Sequence, residues 1–345
     1  MKVLVVNNMA PFVWGGAEEL THHLARNLVL AGHEADILRI PFQWNPAENI
    51  PAQMAMVRAF DVRGADRVIV LKFPAYLVRH PEKTFWLLHQ YRQAYDLFDA
   101  GQTNLPPGAA GVRLRTAIKH ADDESFREAR SIFTNSDVTR QRLLKFNGFE
   151  AQSLPPPLND PELFGGGSPG DYIFAGGRVN MLKRQHLLVE AMRFAKAGVR
   201  LVVAGPPDAP EDAIRLEELV ARHGLEERVK LDLRFLPRQT YADYLNASAA
   251  VAYLPFDEDS LGYVAMEGAT AGKALLSTED SGGVLGLVRH GQTGFVVKPD
   301  PHELGRAMAS LQLDKNVARR LGHGARELWE SLQITWPATI RSLLA

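Results

Sequence analysis

The chain has no cysteine, so disulfides and thiolate metal ligands are excluded and nothing in it calls for an oxidising compartment. It also lacks an excess of either charge. Its 39 Lys and Arg face 40 Asp and Glu, a formal net charge of −1, so a broad nucleic-acid footprint is not expected. No apolar run approaches the roughly 20 residues of a membrane-spanning helix. The opening Met1-Lys-Val-Leu-Val-Val6 is too short for a secretory signal and reads as a buried strand. A cytoplasmic protein is expected, with room left for peripheral membrane contact; the sequence does not speak to oligomeric state. Several catalytic motifs are missing as well. There is no HExxH, no GxSxG and no GxGxxG after the first strand. The glycines from Gly165 to Gly170 have near-Walker spacing, but Asp171 stands where a lysine is needed, and Gly272-Lys273 is followed by Ala274 instead of Ser or Thr. No metal site is expected.

What is present is ordinary for a globular protein: 345 residues, 46% hydrophobic and 23% charged. That length favours two domains. Strand-like segments at 2–6, 35–40, 67–71, 84–88 and 131–134 alternate with helical ones, including 17–31 with Leu20, Leu24 and Leu28 on one face and Gly32 as a stop. Leu154-Pro-Pro-Pro157 and the glycine-rich stretch from Phe164 to Gly170 then read as a flexible interdomain linker. The rhythm restarts with strands at 172–175, 200–204, 229–232, 249–253 and 274–277. Helices are expected at 185–195, 214–223 and 241–246. The tail from Trp329 reads as a weak helix interrupted at Pro337. The expected architecture is α/β: two doubly wound Rossmann-like domains facing a central cleft at the carboxyl ends of their strands. The boundaries are placed at 1–160 and 161–327, with 328–345 packing back on the first domain.

The most informative stretch runs from Asp259 through Ser260, Leu261, Gly262, Tyr263 and Val264 to Glu267. A Ser/Gly loop feeding a helix start suits phosphate, and a carboxylate at either end suits hydroxyl-rich groups. Gly177-Arg178 and Lys183 follow a strand; glycine allows close backbone approach, and the two cations can grip a phosphate. Arg184 reads as part of a surface basic turn. Gly15-Gly16-Ala17-Glu18, after Trp14, is either a ligand-approaching turn or a plain helix start stabilised by Glu18. His89 ends a strand, where cleft residues sit. Asp280-Ser-Gly-Gly283 is a phosphate nest or a simple turn.

In their order and spacing these segments, together with Gly205 after its strand, Thr134-Asn-Ser136 and Gly291-Gln-Thr-Gly294, resemble the family 4 retaining glycosyltransferases of the GT-B fold. The resemblance spans nearly the whole chain. It implies transfer of a sugar from a nucleotide diphosphate-sugar to a hydroxyl of a sugar, glycolipid or other acceptor, with an α-linkage formed and no metal or other cofactor required. It implies that Arg178 and Lys183 hold the donor diphosphate, that Glu267 accepts from the nucleotide ribose, and that Asp259 meets the donor sugar. Backbone N–H groups from Leu261 to Val264 would touch sugar or phosphate, Gly16 would lie by the diphosphate, and His89 over the reacting sugar. The chain departs from the family pattern at Asp259, in place of Glu, and at Gly286, where many members carry Glu. Those departures motivate a second reading, a catalytically silent nucleotide-sugar binding or scaffold protein of the same fold. Acceptor contacts are expected from 42–63 and 91–115, which include Trp44, Tyr91, Arg92, Tyr95, Arg113 and Arg115.

Overall fold

A computed structural model describes residues 1–11 and 15–345, and the chain divides into two compact units, Met1–Pro157 with Thr335–Ala345, and Leu158–Ile334. The first unit holds a sheet of six parallel strands: β1 (Lys2–Met9), β2 (Glu34–Pro41), β3 (Arg67–Lys72), β4 (Lys83–His89), β5 (Ser131–Thr134) and β6 (Gln152–Ser153), in the order β2-β1-β3-β4-β5-β6. The central strand β3 is apolar on both faces because helices cover both. Val3, Val5 and Ile69 pack on Leu20, Leu24 and Leu28 of the helix Gly16–Leu30. Val6, Val68 and Phe85 face the other way, towards Ile50, Met54, Ile118 and Phe126.

The second unit repeats the design with β7 (Ile173–Gly176), β8 (Leu201–Ala204), β9 (Val229–Asp232), β10 (Ala250–Ala252), β11 (Ala274–Thr278) and β12 (Gly294–Val297). All are parallel, ordered β12-β11-β10-β7-β8-β9. Alternation along β7 sends Ile173 and Ala175 to one core and Phe174 to the other.

Three expectations are corrected. The stretch from Phe164 to Gly170 is no flexible linker. Phe164 is buried in the second core, the Gly166 N–H donates to Asn246 Oδ1 at 3.1 Å, and a Cβ on Gly170 would overlap the Ala247 carbonyl. Nor does Pro337 interrupt a helix. It occupies the first turn of the helix Trp336–Leu344, where its missing N–H costs nothing, and Thr335 Oγ1 caps that turn. Finally, residues 328–334 lie in the second unit, with Trp329 in its core. The return to the first unit is made by the last helix, whose Trp336 meets Trp86 edge to face at 6.3 Å and whose Ile340 and Leu343 complete the core beside Leu20.

Candidate functional site

In the second sheet the strand order reverses between β7 and β10, and ligands in such sheets bind beyond the carboxyl ends at that switch. The expected site residues of this unit leave those ends: Gly177, Arg178 and Lys183 after β7, Gly205 after β8, Asp259 to Gly262 after β10, and Tyr263, Val264 and Glu267 on the helix Tyr263–Thr270.

Glycines shape the floor. Gly205 has φ 142°, and a Cβ there would overlap the Gly177 carbonyl. The two turns therefore pack backbone on backbone, with Gly177 N–H donating to the Ala204 carbonyl at 3.1 Å. Gly262, at φ 78°, precedes the helix; a side chain there would run into the Tyr253 ring. Its N–H donates to Ser260 Oγ at 3.3 Å.

Arg178 and Lys183 are each balanced by a carboxylate. Arg178 Nη1 reaches both oxygens of Asp208, at 3.1 and 3.2 Å, and Asn180 Nδ2 steadies the same carboxylate at 2.8 Å. Lys183 Nζ donates to Tyr253 Oη at 2.8 Å and forms an ion pair with Glu258. The Tyr253 hydroxyl donates to Glu258 Oε2 at 3.1 Å. Burial, with the Glu258 charge beside it, holds this phenol well above its ordinary pKa. Arg178 is 44% exposed and Lys183 22%, so a polyanion can compete for both.

Asp259 is buried, on a loop strapped to the turn that follows β11. Asp257 N–H donates to the Asp280 carbonyl at 2.9 Å, and Gly283 N–H to the Glu258 carbonyl at 2.7 Å. The Asp280–Gly283 segment is thus a turn that supports the Asp259 loop, the second of its two readings. At Gly286 a Cβ would stand 2.9 Å from Leu261 Cδ2; the buried leucine occupies the space a side chain there would enter.

Arg184 is corrected from a surface turn to a buried structural cation. Its guanidinium donates to the Leu254 and Pro255 carbonyls at 2.7 and 3.1 Å, to Thr278 Oγ1 at 2.7 Å, and to both Asp280 oxygens at 2.8 Å. Hydrogen bonding from Arg184 holds the Asp280 carboxyl below the usual range.

Glu267 is 2% exposed. Arg238 Nη1 meets its Oε1 at 2.6 Å, and the buried Tyr241 phenol senses the charge of the same carboxylate. Burial pushes the Glu267 pKa up, opposed by Arg238 and Tyr241. Arg238, Tyr241, Asp208, Tyr253 and Glu258 are all missing from the sequence-level site. Asp208 and Glu258 carried a signal, being acids on loops that leave strand ends. Arg238 stands 29 positions from Glu267 and carried none.

In the first unit, His89 closes β4, with Nδ1 2.7 Å from the Gln90 carbonyl oxygen. Gly15 and Gly16 start the helix after β1. Gly15 N–H donates to Glu18 Oε2 at 3.0 Å, so Glu18 stabilises the helix start. Trp14 lies outside the described residues. Of the acceptor-side candidates, Tyr91 and Tyr95 are core residues: Tyr91 stacks on Phe73, and the Tyr95 hydroxyl donates to Asp122 at 2.7 Å. Arg92 pairs with Asp96 and Arg115 with Asp99, while Trp44 and Arg113 are exposed. Among the described residues no group of three or more His, Asp or Glu could hold a metal ion, and no helix is long and apolar enough to cross a membrane.

The fold has close counterparts. Sucrose-phosphate synthase from Thermosynechococcus elongatus superposes with a TM-score of 0.74 at 18% identity, over 99% of this chain and 96% of that one. Anabaena HepE, solved with UDP and glucose, superposes with a TM-score of 0.71 at 18% identity, over 99% and 98%. Two doubly wound Rossmann-like domains of this kind define the GT-B class. Residues 167–328 match the family described as glycosyl transferases group 1. The D-inositol 3-phosphate glycosyltransferase of Xylanimonas cellulosilytica is 32% identical over 156 residues, 45% of this chain and 37% of that protein. The chain thus spans little more than a third of the length of that curated relative. The match to that family falls within the second unit, while the solved structures share the fold of the whole chain.

Proposed function

We propose that the protein is a retaining glycosyltransferase that moves a sugar from a nucleotide diphosphate-sugar to an acceptor hydroxyl, on a sugar, a glycolipid or another glycoconjugate. The observation that carries this reading is the pairing of Arg178 with Asp208 and of Lys183 with Glu258 around the glycine turns at the ends of β7, β8 and β10. Two cations, each partly exposed and each neutralised by a carboxylate, are stable without ligand and can be transferred to a diphosphate. Glu267, buried below the helix start, supplies acceptor oxygens for ribose hydroxyls. Asp259, on the same loop system, is assigned to the donor sugar, with Gly177, Gly205 and the 260–264 backbone giving close approach. Gly15, Gly16 and His89 of the first unit are assigned to the diphosphate and the reacting sugar. The peripheral membrane contact expected for a lipid-linked acceptor, and a cytoplasmic location, belong to the same proposal.

In the proposed reaction the bond between sugar C1 and the diphosphate oxygen breaks through an oxocarbenium-like state. The acceptor oxygen bonds C1 on the same face, and its proton passes to the departing phosphate oxygen. Arg178 and Lys183 stabilise the charge that grows on the diphosphate, an electrostatic contribution that is stronger in the transition state than before it. No metal is assigned a step.

The test is product formation followed by mass spectrometry, with UDP-, GDP-, ADP- and dTDP-sugars and a panel of sugar and glycolipid acceptors. Donor-dependent gain of one sugar mass, lost in Glu267→Ala, supports transfer. Nucleotide binding without any product in the panel favours the silent binding protein, for which the Asp259 and Gly286 departures speak.

A further inference from the structure

Buried carboxylates need a partner that keeps them charged, and the one at Glu267 has an unusual one. Arg238 begins the helix Arg238–Asn246 and is held on several sides. Its Nη2 donates to the Asn159 carbonyl at 3.2 Å, its Nε lies 3.9 Å from Asp160 Oδ2, and its guanidinium stands 4.8 Å from the centre of the Phe164 ring. So fixed, it directs Nη1 onto Glu267 Oε1 at 2.6 Å. The same helix brings Tyr241 to that carboxylate, over Gly176, where any Cβ would overlap the phenol. Tyr253, at the end of β10, is the other titratable group that senses the Glu267 charge. The Asn159 side-chain oxygen beside this cluster is buried and has no hydrogen-bond partner, an acceptor that a bound ligand can supply with a donor.

We propose that Arg238 is the positioning residue of the nucleoside subsite: it holds the Glu267 carboxylate, charged and oriented, for the vicinal hydroxyls of a ribose. This rests on the glycosyltransferase reading and deepens it. An ionised carboxylate offers only acceptors, which two ribose hydroxyls can both use; a protonated one spends an oxygen on its own proton. Burial alone drives Glu267 towards the protonated form, and Arg238 is the first force against it. Removing the guanidinium therefore makes nucleotide binding depend on pH. As pH rises Glu267 ionises and binding returns.

The experiment is calorimetric titration of the full chain with UDP, GDP, ADP and dTDP, and with inorganic pyrophosphate, from pH 6 to 9. The proteins are the wild type, Arg238→Gln, Arg238→Lys, Glu267→Gln and the Arg238→Gln/Glu267→Gln pair. The wild type should bind one nucleotide with little change across this range. Arg238→Gln should bind it about tenfold or more weakly at pH 6 and recover towards pH 9, with pyrophosphate affinity unchanged. Arg238→Lys should keep most of the affinity and the flat profile, and it stands in should the glutamine variant not fold. The double variant should be no weaker than Glu267→Gln alone. A loss in Arg238→Gln that is equal at every pH, or that extends to pyrophosphate, overturns the positioning role, as does unchanged affinity. Failure of the wild type to bind any of the nucleotides sinks the glycosyltransferase reading itself, and is thereby told apart.

Discussion

Each unit of this molecule pairs a lysine with a glutamate, and the two pairs stand in different surroundings. In the first unit Lys83 is fully buried. Its Nζ donates to the Val78 carbonyl, to Ser125 Oγ and to Glu128 Oε2, at 3.1, 2.8 and 3.0 Å, and Glu128 is held from the other side by Arg58. All three ammonium protons are used, at the start of β4, away from any strand's carboxyl end. In the second unit Lys183 is partly exposed, has a phenol and one carboxylate for partners, and follows the strand at the switch point. The same contrast separates Arg184, held by four backbone and side-chain groups, from Arg178, which rests on Asp208 at the surface. A buried charge held from several sides by the protein is structural. On the proposed function, a charge with a single counter-ion at a strand end is the kind a diphosphate takes over.

The largest effect that tests this contrast is expected at Arg184. Arg184→Ala leaves Asp280 and two carbonyls without their donor and should cost roughly 3–5 kcal/mol of stability in chemical denaturation. A folded variant as stable as the wild type would make Arg184 a dispensable surface cation after all. Next comes Lys183→Ala, for which transfer should slow by roughly 10²–10³ while the denaturation midpoint barely moves. Equal turnover would remove Lys183 from the chemistry; collapse of the fold would place it with Lys83.

A pH measurement sharpens the other side. Burial lowers the Lys83 pKa to about 8, below its unfolded value, so between pH 8 and 10 the unfolded chain binds more protons at this site and stability rises with pH. Denaturation curves should show the wild type gaining up to about 2 kcal/mol on Lys83→Met across that window. Parallel curves would mean that Lys83 keeps its proton throughout. The smallest effect is at Gly286. Its Cβ would press on Leu261, so Gly286→Ala should cost about 1 kcal/mol and shift donor affinity only slightly. An increase in stability would show that Leu261 yields without strain.

Much of the fold was legible because parallel strands covered on both faces are short apolar runs, and those at 67–72 and 201–204 announce themselves. Helix starts were harder. The helix placed from 214 begins at Pro210, since proline in a first turn is a start signal rather than a break. The glycines from 164 to 170 looked like slack chain, yet Gly170 is glycine because the Ala247 carbonyl leaves no room for a Cβ. Among the candidate site residues, Arg178, Lys183, Asp259 and Glu267 stand out in the sequence because they follow strand ends or flank a helix start. Their partners were not. The pairings Arg178–Asp208, Lys183–Glu258 and Arg238–Glu267 join positions 30, 75 and 29 residues apart, and only the sheet order brings those together. Arg184 was misread for the same reason: its counter-ion is Asp280, 96 residues on.

The central claim is that Lys183 exchanges Glu258 for a donor diphosphate. It is tested most directly by titrating UDP, GDP, ADP and dTDP into the wild type and into Lys183→Ala by calorimetry at low and high salt. The account predicts that one nucleotide binds the wild type, more weakly at high salt, and binds Lys183→Ala at least tenfold less tightly, by about 1.4 kcal/mol. Equal affinity for the two proteins, at both salt concentrations, would contradict it.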